Sequence, residues 1–599
     1  MARRFIAPVR LAVGAAIALA GLALLANPAS AAVRSTTTTI TESAGAQSGA
    51  PVTFTANVAH LATPSGTPTG SVTFTVTGAS SAVYTCDGGD VATLSPNGSG
   101  PGSVATCTFA AGLLASDSPY TVTTVYGGDA NYTGSNGTLS AHIHLGDTTT
   151  GVVSASNPTV TGQSVSFTAT VAAKSPATGT PTGSVTFAIN GTGGGSVACD
   201  TTGDTVPLSG DTATCSVAAG LLAQYSPYTV SATYSGDSNF ATSSGTVSQT
   251  VSKQTATIAV TSSVPGQLST GQPVTFTATV TPSGSGTPTG DVVFTVTGAG
   301  AYTATCDGGD TQPLSGLTAT CNFAAGLSAK PLYYTVTATL KDPNFTTPVA
   351  GSYVQQMVKA NTSTTVTGVP STLIAGETLN FKITIQTQAP ATGAPKGQIE
   401  WAVCNVHASQ CSGSNAPAGG TFPLPTPTKR DIKNSQMVIS FSVPGGITPP
   451  GLYSVSATFW GAYDYQSSGS SLSYVSVTKV PTTMALYSSS SPVQAGKRLV
   501  LRAAINTDPL ASPSIGAPTG TVTFTITGAT GDTLSCDSGS NVVTISTTNQ
   551  NQGYASCEIA VGTTTLADSP YTITASYSGD TNYSPVAGNT TIGIKPSTP

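Results

Sequence analysis

The phrase "GTPTGSVTFTVTGA" fills Gly66–Ala79, and the chain writes it again. It returns as "GTPTGSVTFAINGT" from Gly179, "GTPTGDVVFTVTGA" from Gly286 and "GAPTGTVTFTITGA" from Gly516; a divergent copy, "GAPKGQIEWAVCNV", starts at Gly393. Self-similarity at a fixed spacing marks a tandem array, in which each copy is one folding unit. Inside the first copy Val72, Phe74 and Val76 alternate with Thr73, Thr75 and Thr77. That period of two puts an apolar face on a core and a threonine face in water, so the phrase reads as a half-buried strand. The "GTPTG" before it is turn chemistry.

Other strands flank the phrase. "PVTFTANV" from Pro51, "SVSFTATV" from Ser164, "PVTFTATV" from Pro273, "TLNFKITI" from Thr378 and "RLVLRAAI" from Arg498 precede it. "YTVTTVYGGDANY" from Tyr120, "YTVSATYSGDSNF" from Tyr228, "YTVTATLKDPNF" from Tyr334, "YSVSATFWGAYDY" from Tyr453 and "YTITASYSGDTNY" from Tyr571 follow it. With a threonine-rich opening strand, each unit holds about seven short strands in roughly a hundred residues, the size and rhythm of an immunoglobulin-like sandwich. The expected organisation is all-β: a signal peptide over 1–31, then five tandem β-sandwich repeats over 33–145, 146–251, 252–358, 359–478 (divergent) and 479–599.

On "GTPTGSVTFTV" and "YTVSATYSGDSNF" the repeat resembles the bacterial Ig-like domain family, in its third group, found in tandem on exported proteins. The resemblance covers nearly all of the chain after the signal segment and is weaker in repeat 4. It implies the sandwich and export, and brings no catalytic residues. It also implies that Tyr120, Tyr228, Tyr334, Tyr453 and Tyr571 are corner tyrosines, each hydroxyl bonding back to upstream backbone. The antibody pattern is missing, with Phe74 where a tryptophan would stand.

"MARR", the apolar run "LAVGAAIALAGLALLA" from Leu11 and "ASA" at Ala29–Ala31 have the order of a cleavable signal peptide. Arg3, Arg4 and Phe5 leave the secretory and twin-arginine routes both open. No later stretch is long and apolar enough to span a bilayer. The expected location is secreted, with wall association as a variant. Charged residues are only 7% and the formal net charge is −5, more negative once Arg3, Arg4 and Arg10 are removed. Without a basic cluster to neutralise phosphates, nucleic acid is not an expected partner.

The ten cysteines fall two per repeat: Cys86 and Cys107, Cys199 and Cys215, Cys306 and Cys321, Cys404 and Cys411, Cys536 and Cys557. The partition predicts five intra-repeat disulfides, each a staple across neighbouring strands, in an oxidising compartment. Zinc is the competing reading at Cys404, His407 and Cys411, but these are three ligands where a structural zinc takes four. The loops holding Asp129 and Asn131, Asp237 and Asn239, and Asp580 and Asn582 could offer oxygens to calcium; the simpler reading is a turn in which aspartate accepts from nearby backbone. His142 and His144 read as a solvated strand face. No metal and no cofactor are expected. With four histidines and no strand–turn–helix nucleophile context, no catalytic residues are assigned and no enzyme is expected.

The function that follows is a surface- or wall-associated stalk and adhesion scaffold, a monomeric rod whose partners are a glycan or a surface protein. The alternative is a carbohydrate- or substrate-binding module array with repeat 4 as the binding unit. Both tryptophans lie in repeat 4. Trp401 replaces the inward Phe of the phrase and reads as core. Trp460 and Tyr463 fall on the outward side of a strand end and the loop after it, where flat rings suit stacking on sugars or on a partner.

Overall fold

The computed structural model describes residues 32–60, 66–98, 102–200, 203–346, 350–407, 418–423, 435–444, 446–507, 515–549 and 552–597. The expected signal segment and Cys411 lie outside the described residues. Those described form β-strands joined by turns and three short 3-10 turns, and no helix among them is long and apolar enough to cross a membrane.

Repeat 2 shows the architecture. Its opening strand, Thr148–Ser154, pairs antiparallel with Val165–Ala173, which pairs with Thr212–Val217 to make a three-stranded sheet. The phrase strand, Ser184–Gly191, builds the facing sheet with Tyr228–Tyr234 and Ser243–Gln249. Two short pieces, Ser196–Val197 and Thr205–Pro207, extend that sheet past the phrase strand. Between the sheets, Thr159–Val160 runs parallel to Val251–Ser252, so the chain starts on one sheet and crosses to the other. This is an immunoglobulin-like sandwich. Among the described residues, strands pair within one repeat, except that Ser252, which opens repeat 3 on the sequence count, still pairs with Val160.

The alternation of the phrase is the alternation of burial. Val72, Phe74 and Val76 are buried while Thr73 and Thr75 are exposed, and Val185, Phe187 and Ile189 repeat this in repeat 2. Each such side chain taken from water contributes about 1.5–3 kcal/mol, the main favourable term in a domain of this size. Trp401 takes the phenylalanine position in repeat 4 and is 7% exposed, with its ring 5.3 Å from Phe381 and 5.2 Å from Phe441.

The chain divides into two compact units, Met1–Gln254 with Gly284–Gly286, and Thr255–Ser283 with Thr287–Pro599. In the first unit, repeats 1 and 2 each have their own apolar cluster. In the second, repeat 3 has its own, whereas a single cluster runs through repeats 4 and 5.

Disulfides join Cys86 to Cys107, Cys199 to Cys215, Cys306 to Cys321 and Cys536 to Cys557. Cys404 is also disulfide-bonded; its expected partner lies outside the described residues. The bonds do not staple neighbouring strands. Cys86 sits between Val83–Tyr84 and Val91–Thr93, which both pair with the phrase strand of one sheet, and Cys107 lies on Gly102–Phe109 of the other. The bond ties sheet to sheet. The acidic residue after the cysteine serves the same corner: Asp87 accepts from the Ala110 amide at 2.6 Å, and Asp90 from the Cys86 amide at 3.0 Å.

Candidate functional site

The turn "GTPTG" and the distant loop "SGDSN" are two halves of one latch. Asp237 Oδ2 accepts from the amide and the hydroxyl of Thr182, at 2.6 and 2.7 Å, and its Oδ1 accepts from the amides of Asn239 and Phe240, both at 2.8 Å. Asp129 does the same with Thr69, Asn131 and Tyr132, and Asp580 with Thr519, Asn582 and Tyr583. Asp342 accepts from the amides of Thr289, Gly290 and Asn344. Burial acts to raise the Asp129 carboxyl, but the hydroxyl and amide of Thr69 and the amide of Asn131 outweigh it and bring it to about 2. Burial is likewise opposed and overcome by hydrogen bonds at Asp237 and Asp580, whose carboxyls also lie below the ordinary aspartate range. Where four donors meet one carboxylate, its lone pairs are committed to the turn rather than offered to a cation.

The corner tyrosines sit at the other end of the strand that leads into the latch loop, as Tyr228 does on Tyr228–Tyr234. The Tyr120 hydroxyl donates to the Leu114 carbonyl at 2.9 Å and Tyr228 to that of Leu222 at 3.0 Å, and each also accepts the amide of the same leucine. Tyr453 donates to the Pro449 carbonyl at 2.7 Å. Tyr571 turns instead to Asp568 and accepts the Thr565 amide. Tyr334 is buried, and burial pushes its hydroxyl up while a backbone contact from Ser328 opposes this.

The latch and the corner meet at the joints between repeats. In the first unit, Thr178, just before the phrase of repeat 2, donates its hydroxyl to the Gly49 carbonyl of repeat 1 at 2.7 Å. Asn239, in the latch loop, accepts the Ser116 amide beside repeat 1's corner at 3.0 Å. In the second unit the joint between repeats 3 and 4 is built alike. Thr392 donates its hydroxyl to the Gly271 carbonyl, and Asp464, at the place of Asn239, accepts the Ser328 hydroxyl at 2.6 Å and the Ala329 amide at 2.8 Å. Gly49 and Gly271 both hold φ +71, and a Cβ would lie 2.1 and 2.2 Å from the Thr178 and Thr392 carbonyl oxygens. Glycine is therefore needed twice over, for the backbone conformation and for the close approach. Sequence reasoning missed these joints, although "PATG" recurs at 176–179 and 390–393.

Repeat 4 departs from the pattern at this same end. Lys396 stands where the latch threonine should be and Ala462 where the aspartate should be, leaving the Ala462 amide on the Lys396 carbonyl at 2.9 Å. Trp460 is 53% exposed and donates its Nε1 proton to Glu400 at 2.9 Å. Tyr463 is 69% exposed, and the Lys330 ammonium of repeat 3 lies 4.8 Å from its ring centre and 5.3 Å from that of Tyr302. Tyr463 thus sits at the joint with repeat 3, whereas Trp460 makes its contact within repeat 4. His142 and His144 are exposed, and no group of three His, Cys, Asp or Glu among the described residues could hold a metal ion.

Residues 152–252 match the family model described as bacterial Ig-like domain (group 3), so this part of the chain, nearly all of repeat 2, is such a domain. Among solved structures, the native conformation of Escherichia coli alpha-2-macroglobulin is 11% identical, over 94% of this chain and 40% of that one, with a TM-score of 0.17. The trypsin-activated form of the E. coli protein is 11% identical over 93% and 49%, at 0.15. Dimeric latent PorU from Porphyromonas gingivalis is 12% identical over 58% and 35%, at 0.15. The chain spans less than half the length of each of these three. No curated protein matches it.

Proposed function

We propose that the chain is a non-catalytic, exported, surface- or wall-associated stalk and adhesion scaffold. One observation carries this reading: the two joints described, repeat 1 to 2 and repeat 3 to 4, seat one repeat on the backbone of the one before it with equivalent hydrogen bonds. A joint that uses a glycine without room for a Cβ and two or three hydrogen bonds, each worth about 1 kcal/mol net, holds neighbours at a set angle. The inter-sheet disulfides fit an oxidising location. The test places an epitope tag in the loop at Gly309 and labels intact cells that express the chain. The reading expects labelling without permeabilisation, blocked thiols, and loss of cell attachment when repeats 2 to 5 are deleted. Retention inside the cell with reduced cysteines overturns it.

The alternative, a glycan-binding array with repeat 4 as the binding unit, draws on the exposure of Trp460 and Tyr463. Replacing both with Ser should abolish retention on wall or extracellular glycan while leaving thermal stability nearly unchanged. Persistent retention removes the alternative.

A further inference from the structure

We propose that the cleft between repeats 3 and 4 binds a short peptide that carries both a free ammonium and a free carboxylate group. The cleft encloses about 440 Å³, within the range of small-ligand pockets. Gly271, Gly326, Gly393 and Ala394 line it, and side chains this small let another backbone come close. Two residues of opposite charge, Lys396 and Asp464, also line the cleft, in a chain where only 7% of residues are charged.

The joint makes no use of the Lys396 charge and leaves one oxygen of Asp464 open. Both bonds that Asp464 makes across it fall on Oδ1, and Asn239 does the same work in the first unit with a neutral amide. Lys396 occupies the place where Thr69, Thr182 and Thr519 clamp an aspartate, and the aspartate it would face is Ala462. Its ammonium makes no ion pair among the described residues, where the one such pair is Arg498 with Glu558. The neighbouring Lys330 is engaged over the rings of Tyr302 and Tyr463, and Asp464 attracts its ammonium from across the joint. A carboxylate and an ammonium thus line one cavity without meeting each other. A purely anionic ligand is repelled by Asp464, and a purely cationic one by Lys396. A molecule with one charge of each sign satisfies both through charge-assisted hydrogen bonds.

The test is saturation-transfer NMR on the full exported chain with alanylalanine as probe, and the N-acetylated, C-amidated dipeptide as control. The variants are Lys396→Thr and Asp464→Asn, which install the residues repeat 2 already uses and so keep the joint's own bonds. The uncapped dipeptide should receive saturation with an affinity on the order of 1 mM, the capped one should not, and each variant should weaken binding about tenfold. The Ala329 amide should stay protected from exchange in both, showing that the joint is still closed. The proposal is overturned by no transfer at about 10 mM dipeptide, by equal transfer to the capped peptide, or by transfer that survives both variants. The stalk reading is untouched by any of these results, because both variants keep the hydrogen-bond acceptor at position 464 on which the joint rests.

Discussion

Asp237 ties together two segments 55 residues apart in sequence, and its removal should be felt at both. Asp237→Ala strands the Thr182 hydroxyl and three amides, and should cost repeat 2 about 2 kcal/mol. Hydrogen exchange should speed up at Thr182, Asn239 and Phe240 while the strand amides of repeat 1 keep their rates. Thr182→Val should give a smaller effect that does not add to the first, since both remove one interaction. The latch also has a pH signature. Asp129 is held at about 2, below the roughly 3.9 of an unfolded chain. Its contribution is therefore fully present above about pH 4 and is lost as the pH falls through about 2. Exchange at Asn131 and Tyr132 should rise over that window, and an Asp129→Asn variant should show no such rise. Both halves of the latch were visible in the sequence as turn chemistry, but nothing local says that one turn grips the other. The readable signal was the joint loss in repeat 4, where Lys396 and Ala462 replace threonine and aspartate together.

At the scale of elements, the long strands were legible because their period of two is the period of burial. The phrase strand, its two neighbours and the inward place of Trp401 follow from it. The crossover piece Thr159–Val160 was not legible, since two residues carry no periodicity and its parallel partner, Val251–Ser252, is far along the chain. The pairing of the four disulfides with both cysteines described was legible from the count per repeat, yet the direction of the staple was not: the sequence shows which loop holds Cys199 but not which sheet that loop hangs from. The sheet-to-sheet geometry makes its own prediction. Replacing Cys199 and Cys215 with Ser releases a loop whose closure is worth about 3 kcal/mol, and the loosening should fall on the contact between Thr212–Val217 and the facing sheet. Urea denaturation followed by exchange should show Thr212–Val217 losing protection before Val165–Ala173. Equal loss in both strands would mean the bond merely trims the unfolded state of repeat 2 as a whole.

For the molecule as a whole, the question is how far a local defect travels. Tandem repeats are governed by their own stability and by the interface with each neighbour. The clusters divide the neighbours into two kinds. Repeats 1 and 2 keep separate apolar cores and meet through hydrogen bonds, whereas one apolar cluster runs through repeats 4 and 5. Hydrogen bonds at a joint contribute about 1 kcal/mol each, but a shared core couples every residue that borders it. Phe167 and Phe381 hold equivalent buried places in repeats 2 and 4. Each Phe→Ala change should cost its own repeat about 3–5 kcal/mol. The consequences next door should differ. Phe167→Ala should leave strand amides of repeat 1 protected, with changes confined to Gly49 and Ser116 at the joint. Phe381→Ala should also lower protection in repeat 5, along Leu499–Thr507 and Tyr571–Tyr577, which carry the continuing cluster. Exchange mass spectrometry on the full chain reads both at once. If repeat 5 keeps its protection when repeat 4 is hollowed out, the shared cluster is adjacency without coupling, and every repeat of this chain stands on its own core.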